Sequence, residues 1–362
     1  MIGAPWATID LAALRNNVAV VRRHAPDAHI MAVVKANAYG HGVSDVVAAL
    51  TDVDALAVAR IDEALALRQR GAEQPIVILE GVFTTDDVAL AHKNQLDLVI
   101  HGREQLALLA DAHPTVPPRL WIKVDTGMHR LGFNAGEVCE AVRRVRQISG
   151  TGTVVGLMSH LADAEAPDSA DTIRQISDFR ELTRSHDGPA SLANSAGVLC
   201  WPDARFDWVR PGIMLYGASP RGPDHADKLG LQPVMRFQTT LVATREISRG
   251  EGVGYGFSWR AYRRTRIGVA AAGYADGYPR HVPSGTPVLV GDRHVPIVGR
   301  VSMDLMTVDL GPDGPEKLGD VVTLWGDEAL RVETIADHAG TISYELLSRV
   351  TQRVKLIPVG GD

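Results

Sequence analysis

The sequence predicts an α/β protein with an N-terminal (β/α)8 barrel of the TIM type and a smaller, mostly β domain after it. Two observations carry this prediction. Short β-rich runs alternate with helical patterns through the first two-thirds of the chain, and β runs with tight turns replace that alternation afterwards. A chain of 362 residues with 45% hydrophobic residues can bury a core in each domain. A doubly wound parallel sheet has the same local signature and stays open as an alternative.

The barrel prediction depends on eight candidate strands with helical stretches between most of them. Asp10 is placed as the N-cap of a first helix, whose apolar residues recur at helical spacing from Leu11 to Val21. The candidate strands are Ile30–Val34, Ala55–Val58, Ile76–Leu79, Leu96–Ile100, Leu120–Val124, Val154–Ser159, Ser191–Ala193 and Phe206–Val209. The helical stretches between them include residues 61–70, 104–112, 135–147 and 172–186.

The alternation of strands and helices ends at residues 219–230, where proline, glycine and serine cluster. This composition is typical of a linker and predicts domains of residues 1–230 and 231–362. Beyond the linker, β runs such as residues 234–247 and 286–290 are separated by turns. Helical patches interrupt this second domain at residues 333–338 and 344–350.

Composition argues against several classes of protein. The formal net charge of −6 comes without a long basic or acidic block, which argues against a nucleic-acid-binding or membrane-surface protein. We find no secretory signal pattern, and no apolar run is long enough to span a bilayer. The only cysteines, Cys139 and Cys200, are too few for a disulfide framework. We therefore expect a cytoplasmic protein that binds neither nucleic acid nor membrane.

Lys35 is the most informative residue of the chain. The apolar run from Ile30 to Val34 ends at this lysine, within the string AVVKANAYGHG of residues 32–42. Partial burial at the end of a strand lowers the pKa of a lysine and frees its amine as a nucleophile or base. Those properties suit a lysine that forms a Schiff base with a carbonyl cofactor. A single lysine at a strand end more often points into water, so the whole string carries the interpretation.

Each of the fifth to eighth predicted strands is followed by residues suited to acid–base chemistry or anion binding. These residues are Lys123 and Arg130 after the fifth strand, His160 after the sixth, Ser195 after the seventh and Arg210 after the eighth. In a (β/α)8 barrel, the loops at the carboxyl ends of the strands build the active site. The sequence therefore predicts a site where these residues converge with Lys35.

The seventh and eighth loops are those at which barrels commonly bind phosphate. Ser195 is placed as a helix N-cap, and Gly212 allows a backbone N–H to approach a ligand closely. Ser-Ala-Gly alone is a routine cap, but beside a strand-end lysine it indicates the phosphate end of pyridoxal phosphate. Arg210 suits the ring nitrogen of that cofactor, because arginine keeps its proton and leaves the nitrogen unprotonated. The alternative for Arg210 is pairing with an acidic neighbour at the barrel rim.

Three motifs of the second predicted domain contain further candidates, and each motif is weak by itself. Tyr255 lies between glycines, Tyr274 lies in an aromatic-rich loop, and Met303 precedes Asp304. Each residue has an equally good structural explanation: a turn for Tyr255, a loop for Tyr274, core filling for Met303 and a cap for Asp304. The sequence has no His-Glu-x-x-His, no cysteine pair and no Gly-x-Ser-x-Gly motif, so we expect no metal site and no serine nucleophile of that type.

Taken together, the motifs resemble those of alanine racemases, and the resemblance extends from Trp6 to nearly the last residue. The blocks that carry it are residues 33–42, 123–132, 208–217, 253–256, 273–278, 299–304 and 344–346. The resemblance implies an isomerase dependent on pyridoxal 5′-phosphate that interconverts L-alanine and D-alanine. It also implies a head-to-tail homodimer with shared active sites. The D-alanine would serve peptidoglycan of the cell wall, or the enzyme would serve alanine catabolism.

The resemblance implies a role for each candidate residue of the barrel. Lys35 would carry the cofactor as an internal aldimine, and Arg210 would face the pyridine nitrogen. Arg130 would bond the phenolic oxygen of the cofactor and orient the substrate carboxylate, beside a carbamylated Lys123. The residues that would hold the phosphate are Tyr39, Ser195, Gly212, Ile213 and Tyr344.

The resemblance also implies two bases, because racemisation removes a proton from one face of Cα and returns it to the other. Lys35 would serve the face that gives D-alanine, and Tyr255 the face that gives L-alanine. His160 would lie at the cofactor and tune Tyr255, since a tyrosine base needs its pKa lowered from about 10 by positive charge. The residues that would reach the partner subunit's active site are Tyr255, Met303 at the substrate, and Tyr274 and Asp304 behind it.

Three related kinds of protein are the competing interpretations. A decarboxylase of the same architecture would have a carboxylate in place of Arg210 and a catalytic cysteine in the second domain. A non-enzymatic cofactor carrier would end after the barrel. A broad-specificity periplasmic racemase would have a signal peptide and cysteines suited to a disulfide. One departure from the resemblance is Phe257, where relatives often have a small residue, so we expect different packing beside Tyr255 or a different width of the entry.

Overall fold

The computed structural model describes residues 3–112, 119–149 and 154–361, which divide into two compact units. The barrel unit comprises Val18–Ala38 and Leu50–Leu215. The sheet unit comprises Met1–Asn17, Tyr39–Ala49 and Tyr216–Asp362. Each unit therefore combines segments that are separate in the sequence. The division into residues 1–230 and 231–362 stays a prediction.

The strands, in chain order, are β1 Trp6–Asp10, β2 His29–Val33, β3 Ala55–Val58, β4 Ile76–Ile78, β5 Leu96–Ile100, β6 Arg119–Lys123, β7 Val154–Met158, β8 Ala190–Ser191, β9 Trp208–Val209, β10 Met235–Ile247, β11 Gly252–Val253, β12 Trp259–Arg260, β13 Thr265–Ala270, β14 Pro287–Val290, β15 Arg293–Pro296, β16 Met306–Gly311, β17 Val321–Trp325 and β18 Lys355–Val359. The right-handed α-helices are Leu11–His24, Val43–Ala49, Ile61–Gln69, Thr85–Lys93, Arg103–Asp111, Val138–Ser149, Ala170–Arg184, Ser195–Cys200, Pro223–Leu229, Val332–Ala339 and Ser343–Ser348. Among the helices described, none has the length and apolar character needed to cross a membrane.

Strands β2 to β9 form a closed barrel of parallel strands, and β9 returns to pair with β2. This closure confirms the predicted (β/α)8 barrel and excludes the doubly wound sheet. The eight predicted strands are all present, although β8 and β9 shorten to two residues each. Most strand residues are buried, which explains why the sequence shows continuous apolar runs here and not an alternating pattern.

Aromatic side chains fill the barrel interior. Trp121 of β6 and Trp208 of β9 meet edge-on with ring centroids 6.1 Å apart. Because β6 and β9 are not neighbours in the barrel, this contact crosses its interior. A Cβ on Gly156 of β7 would lie 2.5 Å from the Trp121 ring, so the glycine makes room for it. A filled interior leaves the loops at the strand ends as the place for a site.

The amino-terminal strand β1 belongs to the sheet unit, where it is antiparallel to β10 and parallel to β18. Asp10 is its last residue. The Asp10 Oδ1 accepts the N–H groups of Ala12 and Ala13, each at 2.9 Å, and so caps the helix Leu11–His24. The predicted N-cap is therefore confirmed, whereas the strand before it has no counterpart in the prediction.

The sheet unit confirms the predicted mostly β domain. Its main sheet has the strand order β15-β14-β17-β10-β1-β18, and β13 adds to β10 and pairs with β16. Trp325 packs against Phe237 at 4.7 Å and stacks on Tyr278 at 5.8 Å between ring centroids. The helices Val332–Ala339 and Ser343–Ser348 match the two predicted helical patches.

The segment predicted as a linker contains the helix Pro223–Leu229, so that prediction was wrong in detail. Pro223 opens the helix, where a missing N–H costs nothing, and Gly230 ends it at φ 71°. Arg331 donates to Asp227 through Nε at 2.6 Å. Proline and glycine here mark the two ends of a helix, and not a flexible connection.

Asp97 of β5 is a buried carboxyl, 3% exposed. Burial raises its pKa to about 6, although Arg119 and Arg68 act in the opposite direction. The ion pair with Arg119 is long, at 3.5 Å. The folded protein therefore favours the protonated carboxyl in a range where the unfolded chain has already lost that proton.

We predict that Asp97→Asn stabilises the protein relative to wild type as the pH rises. The pKa is about 6 when folded and 3.8 unfolded, so the wild-type free energy of unfolding falls across that interval, by about 2 kcal/mol. Asparagine removes the titration. Urea unfolding at about pH 4.5 and about pH 7.5 measures the free energy of unfolding of both proteins. Subtracting the wild-type value from the variant value at each pH cancels the contributions of the other titrating groups. A difference independent of pH contradicts the prediction.

Candidate active site

Lys35 follows β2 and begins a left-handed turn. Ala36, Asn37, Ala38 and Tyr39 have φ angles of 53°, 55°, 56° and 49°. A left-handed conformation costs a non-glycine residue about 1–2 kcal/mol, so four in succession store several kcal/mol of strain. Strain of this kind persists only where the surrounding structure over-determines it, and it is concentrated at functional sites.

The buried guanidinium of Arg210 is the centre of the barrel end. Its Nη1 donates to the Ser191 Oγ at 2.6 Å. Its Nη2 faces the carbonyl oxygens of Ser159 at 2.5 Å and Leu192 at 3.1 Å, and the His160 Nδ1 at 3.3 Å. All these acceptors are neutral, and none is the acidic rim neighbour that the alternative interpretation required. Burial lowers the pKa of Arg210 to about 9, which leaves it protonated at neutral pH.

Two other predicted residues lie within the electrostatic reach of Arg210. Burial lowers the pKa of Lys123 well below its ordinary value, and Arg210, Arg130 and Lys35 lower it further. Burial also lowers the pKa of His160, with Lys123 and Arg210 as the strongest neighbouring charges. At neutral pH the imidazole is therefore neutral, and the amine of Lys123 gives up its proton readily. The cluster favours a bound anion.

Ser195 and Gly212 lie together, as predicted for a phosphate site. The Ser195 Oγ accepts the N–H groups of Gly212 at 2.9 Å and Met214 at 3.3 Å, and Ile213 lies between them in the chain. The helix N-cap, however, is Asn194, whose Oδ1 accepts the Gly197 N–H at 2.9 Å. Ser195 is the first helical residue, so its predicted role as N-cap was wrong. Its hydroxyl is instead directed to the loop after β9.

The loop after β6 is held by hydrogen bonds within the loop and leaves Arg130 exposed. Asp125 accepts the N–H groups of Gly127 at 2.9 Å and His129 at 3.1 Å. Although burial raises the pKa of Asp125, these hydrogen bonds outweigh it and the pKa is lowered. The Phe133 N–H returns to the carbonyl oxygen of Lys123 at 2.9 Å. Arg130 is exposed at the tip of the loop.

In the sheet unit, Tyr39 and Tyr344, which the resemblance assigns to the phosphate, lie together. Tyr39 packs edge-on against Tyr344 with ring centroids 6.0 Å apart and against Tyr216 at 4.8 Å. Burial raises the pKa of Tyr39 above its ordinary value, so its hydroxyl stays protonated and can donate to an anion. A Cβ on Gly40 would lie 2.2 Å from the carbonyl oxygen of Leu347, which explains the glycine after Tyr39.

The loops carrying Tyr274, Met303 and Asp304 are also joined within the sheet unit. The N–H groups of Tyr274 and Ala275 donate to the carbonyl oxygens of Ser302 at 3.1 Å and Met303 at 3.0 Å. Asp304 accepts from Arg353 at 2.7 Å, and the same guanidinium lies 3.4 Å from the buried carboxylate of Asp276. Asp304 is thus held by an ion pair, whereas Met303 is 53% exposed and not core filler.

Tyr255 projects from another loop of the sheet unit. It is 66% exposed and lies between Gly254 and Gly256, both at φ 70°. Phe257 has φ 46°, and a Cβ on Gly252 would lie 2.5 Å from its ring. The Phe257 ring therefore covers a glycine of β11, and the expected difference from relatives at this position stays a prediction.

Each unit thus gathers its own share of the predicted residues. Those of the barrel unit are Lys35, Lys123, Arg130, His160, Ser195, Arg210, Gly212 and Ile213, and those of the sheet unit are Tyr39, Tyr255, Tyr274, Met303, Asp304 and Tyr344. The sequence interpretation gave no role to Ser191, and it named Asn194 beside Ser195 without its role as the helix N-cap; both are small polar residues near the end of β8. Their position at a strand end was the available signal. Within the described ranges, no group of three or more His, Cys, Asp or Glu side chains is placed to hold a metal ion.

Comparison with known proteins agrees with this geometry. The family model for the N-terminal domain of alanine racemase matches residues 9–220, and the model for the C-terminal domain matches residues 234–358. An alanine racemase of Aeromonas hydrophila subsp. hydrophila is 50% identical over 351 residues, which are 97% of this chain and 98% of the relative. The crystal structure of biosynthetic alanine racemase from Pseudomonas aeruginosa has a TM-score of 0.94 at 46% identity, covering 99% of this chain and 100% of that chain.

A crystal structure of alanine racemase from Bartonella henselae with covalently bound pyridoxal phosphate has a TM-score of 0.87 at 29% identity, covering 98% of this chain and 99% of that chain. The matches to both domains of alanine racemase, which extend over nearly the whole chain, identify this protein as an isomerase of the class that depends on pyridoxal phosphate. The chain belongs to the alanine racemase family. Its reaction is the racemisation of alanine.

We predict opposite effects of two substitutions at the exposed Ala36. Ala36→Gly should raise the free energy of unfolding by about 0.5–1 kcal/mol, because glycine adopts a left-handed φ without strain. Ala36→Val should lower it by more than about 1 kcal/mol, because a β-branched side chain crowds that conformation further. Urea unfolding measures both variants.

The matched control is Ala89→Gly, at an exposed position of the right-handed helix Thr85–Lys93. There glycine should lower the free energy of unfolding by about 1 kcal/mol. Equal losses for the two glycine variants would mean that the turn after Lys35 is unstrained.

Proposed function

We propose that Lys35 binds pyridoxal 5′-phosphate covalently and that the phosphate lies against Ser195, Gly212 and Ile213. The observation that carries the proposal is that Lys35 and the buried Arg210 both act electrostatically on Lys123 and His160 at one end of the barrel, where the Ser195 hydroxyl also meets the Gly212 N–H. Tyr39 and Tyr344 are the other residues that we propose for binding the phosphate. When bound, the cofactor withdraws electrons from the substrate and eases loss of the proton on Cα.

Arg210 faces the pyridine nitrogen in this proposal. Its four acceptors on the protein are neutral, so its positive charge stays uncompensated by them. A guanidinium keeps its protons at neutral pH. It therefore does not protonate the pyridine nitrogen that it faces, and that nitrogen stays unprotonated. With the cofactor bound, Arg210 would thus limit the negative charge that the ring accepts, which would favour prompt return of the proton to Cα. This is the outcome that distinguishes racemisation from side reactions.

Lys35 and Tyr255 are the two bases. The Lys35 amine serves the face of Cα that gives D-alanine, and the Tyr255 hydroxyl serves the face that gives L-alanine. The exposed position of Tyr255 between two glycines supports this role, since its hydroxyl is available to a substrate. His160 lies at the cofactor and tunes Tyr255; because its imidazole is neutral, the positive charge for this tuning comes from Arg210, which His160 contacts.

Arg130 and Met303 contact the substrate. Arg130 is an exposed cation on the loop after β6 and is suited to the alanine carboxylate. Met303 contributes from the sheet unit, and its loop is supported by Tyr274 and by Asp304 through Arg353.

We propose a homodimer in which Tyr255, Tyr274, Met303 and Asp304 act in the partner subunit's site. Support comes from apolar side chains that a single chain leaves exposed on these loops. They are Tyr255 at 66%, Phe257 at 60%, Met303 at 53% and Leu305 at 42% exposed. Such a cluster marks an interaction surface, and a second copy of the chain would cover it. We also propose that the enzyme works in the cytoplasm, consistent with Cys139 and Cys200 forming no disulfide.

Lys123 is proposed to carry a carbamate. Its depressed pKa provides a neutral amine, which attacks the carbon of CO2 and releases one proton as the N–C bond forms. The product is an anion beside Arg210 and Arg130. It would compensate charges that otherwise repel one another and would orient Arg130 toward the substrate.

The shared site predicts complementation between Lys35→Ala and Tyr255→Phe. Each homodimer lacks one base in both sites, whereas a mixed dimer has one doubly mutated site and one intact site. Random exchange makes half of the dimers mixed, so about a quarter of the wild-type alanine racemisation should return. Co-expression with two affinity tags supplies this mixture, and mixed dimers isolated through both tags should have about half of the wild-type activity. Activity equal to the sum of the homodimers means that both bases belong to one chain.

The carbamate predicts a carbonyl signal in carbon-13 NMR after incubation with labelled bicarbonate. The signal should be absent in Lys123→Met, which keeps the length of the side chain without its amine. It should decline as the pH falls, because protonation of the amine opposes carbamate formation. An unchanged signal in the methionine variant assigns it to another amine.

A further inference from the structure

The carboxylate of Glu63 is bonded to the turn that begins at Lys35. Its Oε1 accepts the Ala36 N–H at 2.7 Å, directly after the lysine. Its Oε2 accepts the N–H groups of Ala59 at 2.8 Å and Arg60 at 3.2 Å, just after β3. One side chain therefore ties the loop after β2 to the loop after β3.

We propose that Glu63 is a positioning residue that holds Lys35 in place through the backbone of the left-handed turn. The inference rests on the proposed role of Lys35 in binding the cofactor. Glu63 touches neither substrate nor cofactor in this proposal, and its effect is transmitted through the Ala36 N–H. It determines the direction in which the chain leaves β2 and hence the position of the Lys35 amine.

The left-handed turn needs an external restraint, and Glu63 supplies one at its first residue. Residues 36–39 contain no glycine, so their local preference is for right-handed or extended backbone. The Ala38 N–H donates to the carbonyl oxygen of Val34 at 2.9 Å, which closes the turn on itself without fixing it to a neighbour. A carboxylate is the strongest acceptor a backbone N–H can meet, and Glu63 is itself fixed by the helix it begins.

A role as helix cap alone does not account for Glu63. The cap uses only Oε2, whereas Oε1 reaches a residue 27 positions earlier in the chain. An ordinary cap in the same barrel is Thr84, whose Oγ1 accepts the Asp87 N–H at 3.1 Å within its own helix. Thr84 therefore offers a matched control that removes a cap without touching Lys35.

Glu63→Gln separates the two functions of the side chain. An amide has one acceptor oxygen, and its NH2 group cannot accept from a backbone N–H. The oxygen should keep the two cap bonds to Ala59 and Arg60, so the NH2 group faces the Ala36 N–H and that bond is lost. Glu63→Asp is the second variant, because it keeps the charge at the helix start but is too short to bridge both loops.

Hydrogen–deuterium exchange, resolved by fragmentation in the mass spectrometer, reports on the turn in the cofactor-free protein. In Glu63→Gln and Glu63→Asp, the Ala36 amide should exchange about tenfold faster, with smaller increases for residues 37–40. The amides of the helix Ile61–Gln69 should exchange as in wild type in Glu63→Gln. Thr84→Val should accelerate exchange only in its own helix, Thr85–Lys93.

With the cofactor bound, the two Glu63 variants should lower kcat for alanine by about tenfold and change KM little, because they displace a base without removing a substrate contact. Wild-type exchange at Ala36 in both variants overturns the inference, whatever the role of Lys35. Faster exchange with wild-type kcat also overturns it, since the turn then moves without consequence. Separately, full racemisation by Lys35→Ala would contradict the proposed function and leave the exchange result standing.

Discussion

The buried guanidinium of Arg210 needs hydrogen-bond acceptors for its inward-facing N–H groups. The arrangement of the strand ends around the site depends on this requirement. Arg210 meets it with the Ser159 and Leu192 carbonyl oxygens, the Ser191 hydroxyl and a ring nitrogen of His160. These groups belong to the ends of β7 and β8, whereas Arg210 follows β9. Burying the charge costs several kcal/mol, and hydrogen bonds to a charged group each return about 1.5–3 kcal/mol. The strand ends are therefore fixed relative to one another by the same residue whose charge lowers the pKa values of its neighbours.

The barrel could be predicted from the sequence because its physical signal is local and repeated. Each parallel strand is buried on both faces and so appears as a short apolar run, as in Ala55–Val58 and Leu96–Ile100. The closure of the barrel could not be predicted in this way, because pairing of β9 with β2 joins residues that are distant in the sequence. The same limit applies to β1, whose partners β10 and β18 lie in the other half of the chain. Composition also misled at residues 219–230, where proline and glycine are the two ends of a helix.

Candidate residues with reactive side chains could be proposed from the sequence, whereas the residues that orient them could not. Lys35 and Arg210 are recognisable in the sequence because each is a charged residue directly after an apolar strand. The cap at Asn194 and the bridge made by Glu63 depend on where a side chain points, and the sequence contains no such information. Ser195 illustrates the difference, since its predicted position as a helix N-cap was wrong, whereas its role at a phosphate site stays a prediction. Its hydroxyl is directed to the Gly212 N–H because Asn194 already occupies the cap.

The left-handed turn after Lys35 is strained locally, but it allows contacts with residues that are distant in the sequence. A right-handed or extended path would relieve residues 36–39, but it would leave β2 in another direction and carry Tyr39 elsewhere. Tyr39 packs edge-on with Tyr216 and Tyr344 in the sheet unit, so the turn is the point at which the chain passes from one unit to the other. The strained turn is therefore needed to position the residues at both of its ends. The lysine must be placed at the barrel end, and four residues later the tyrosine must be placed in the sheet unit.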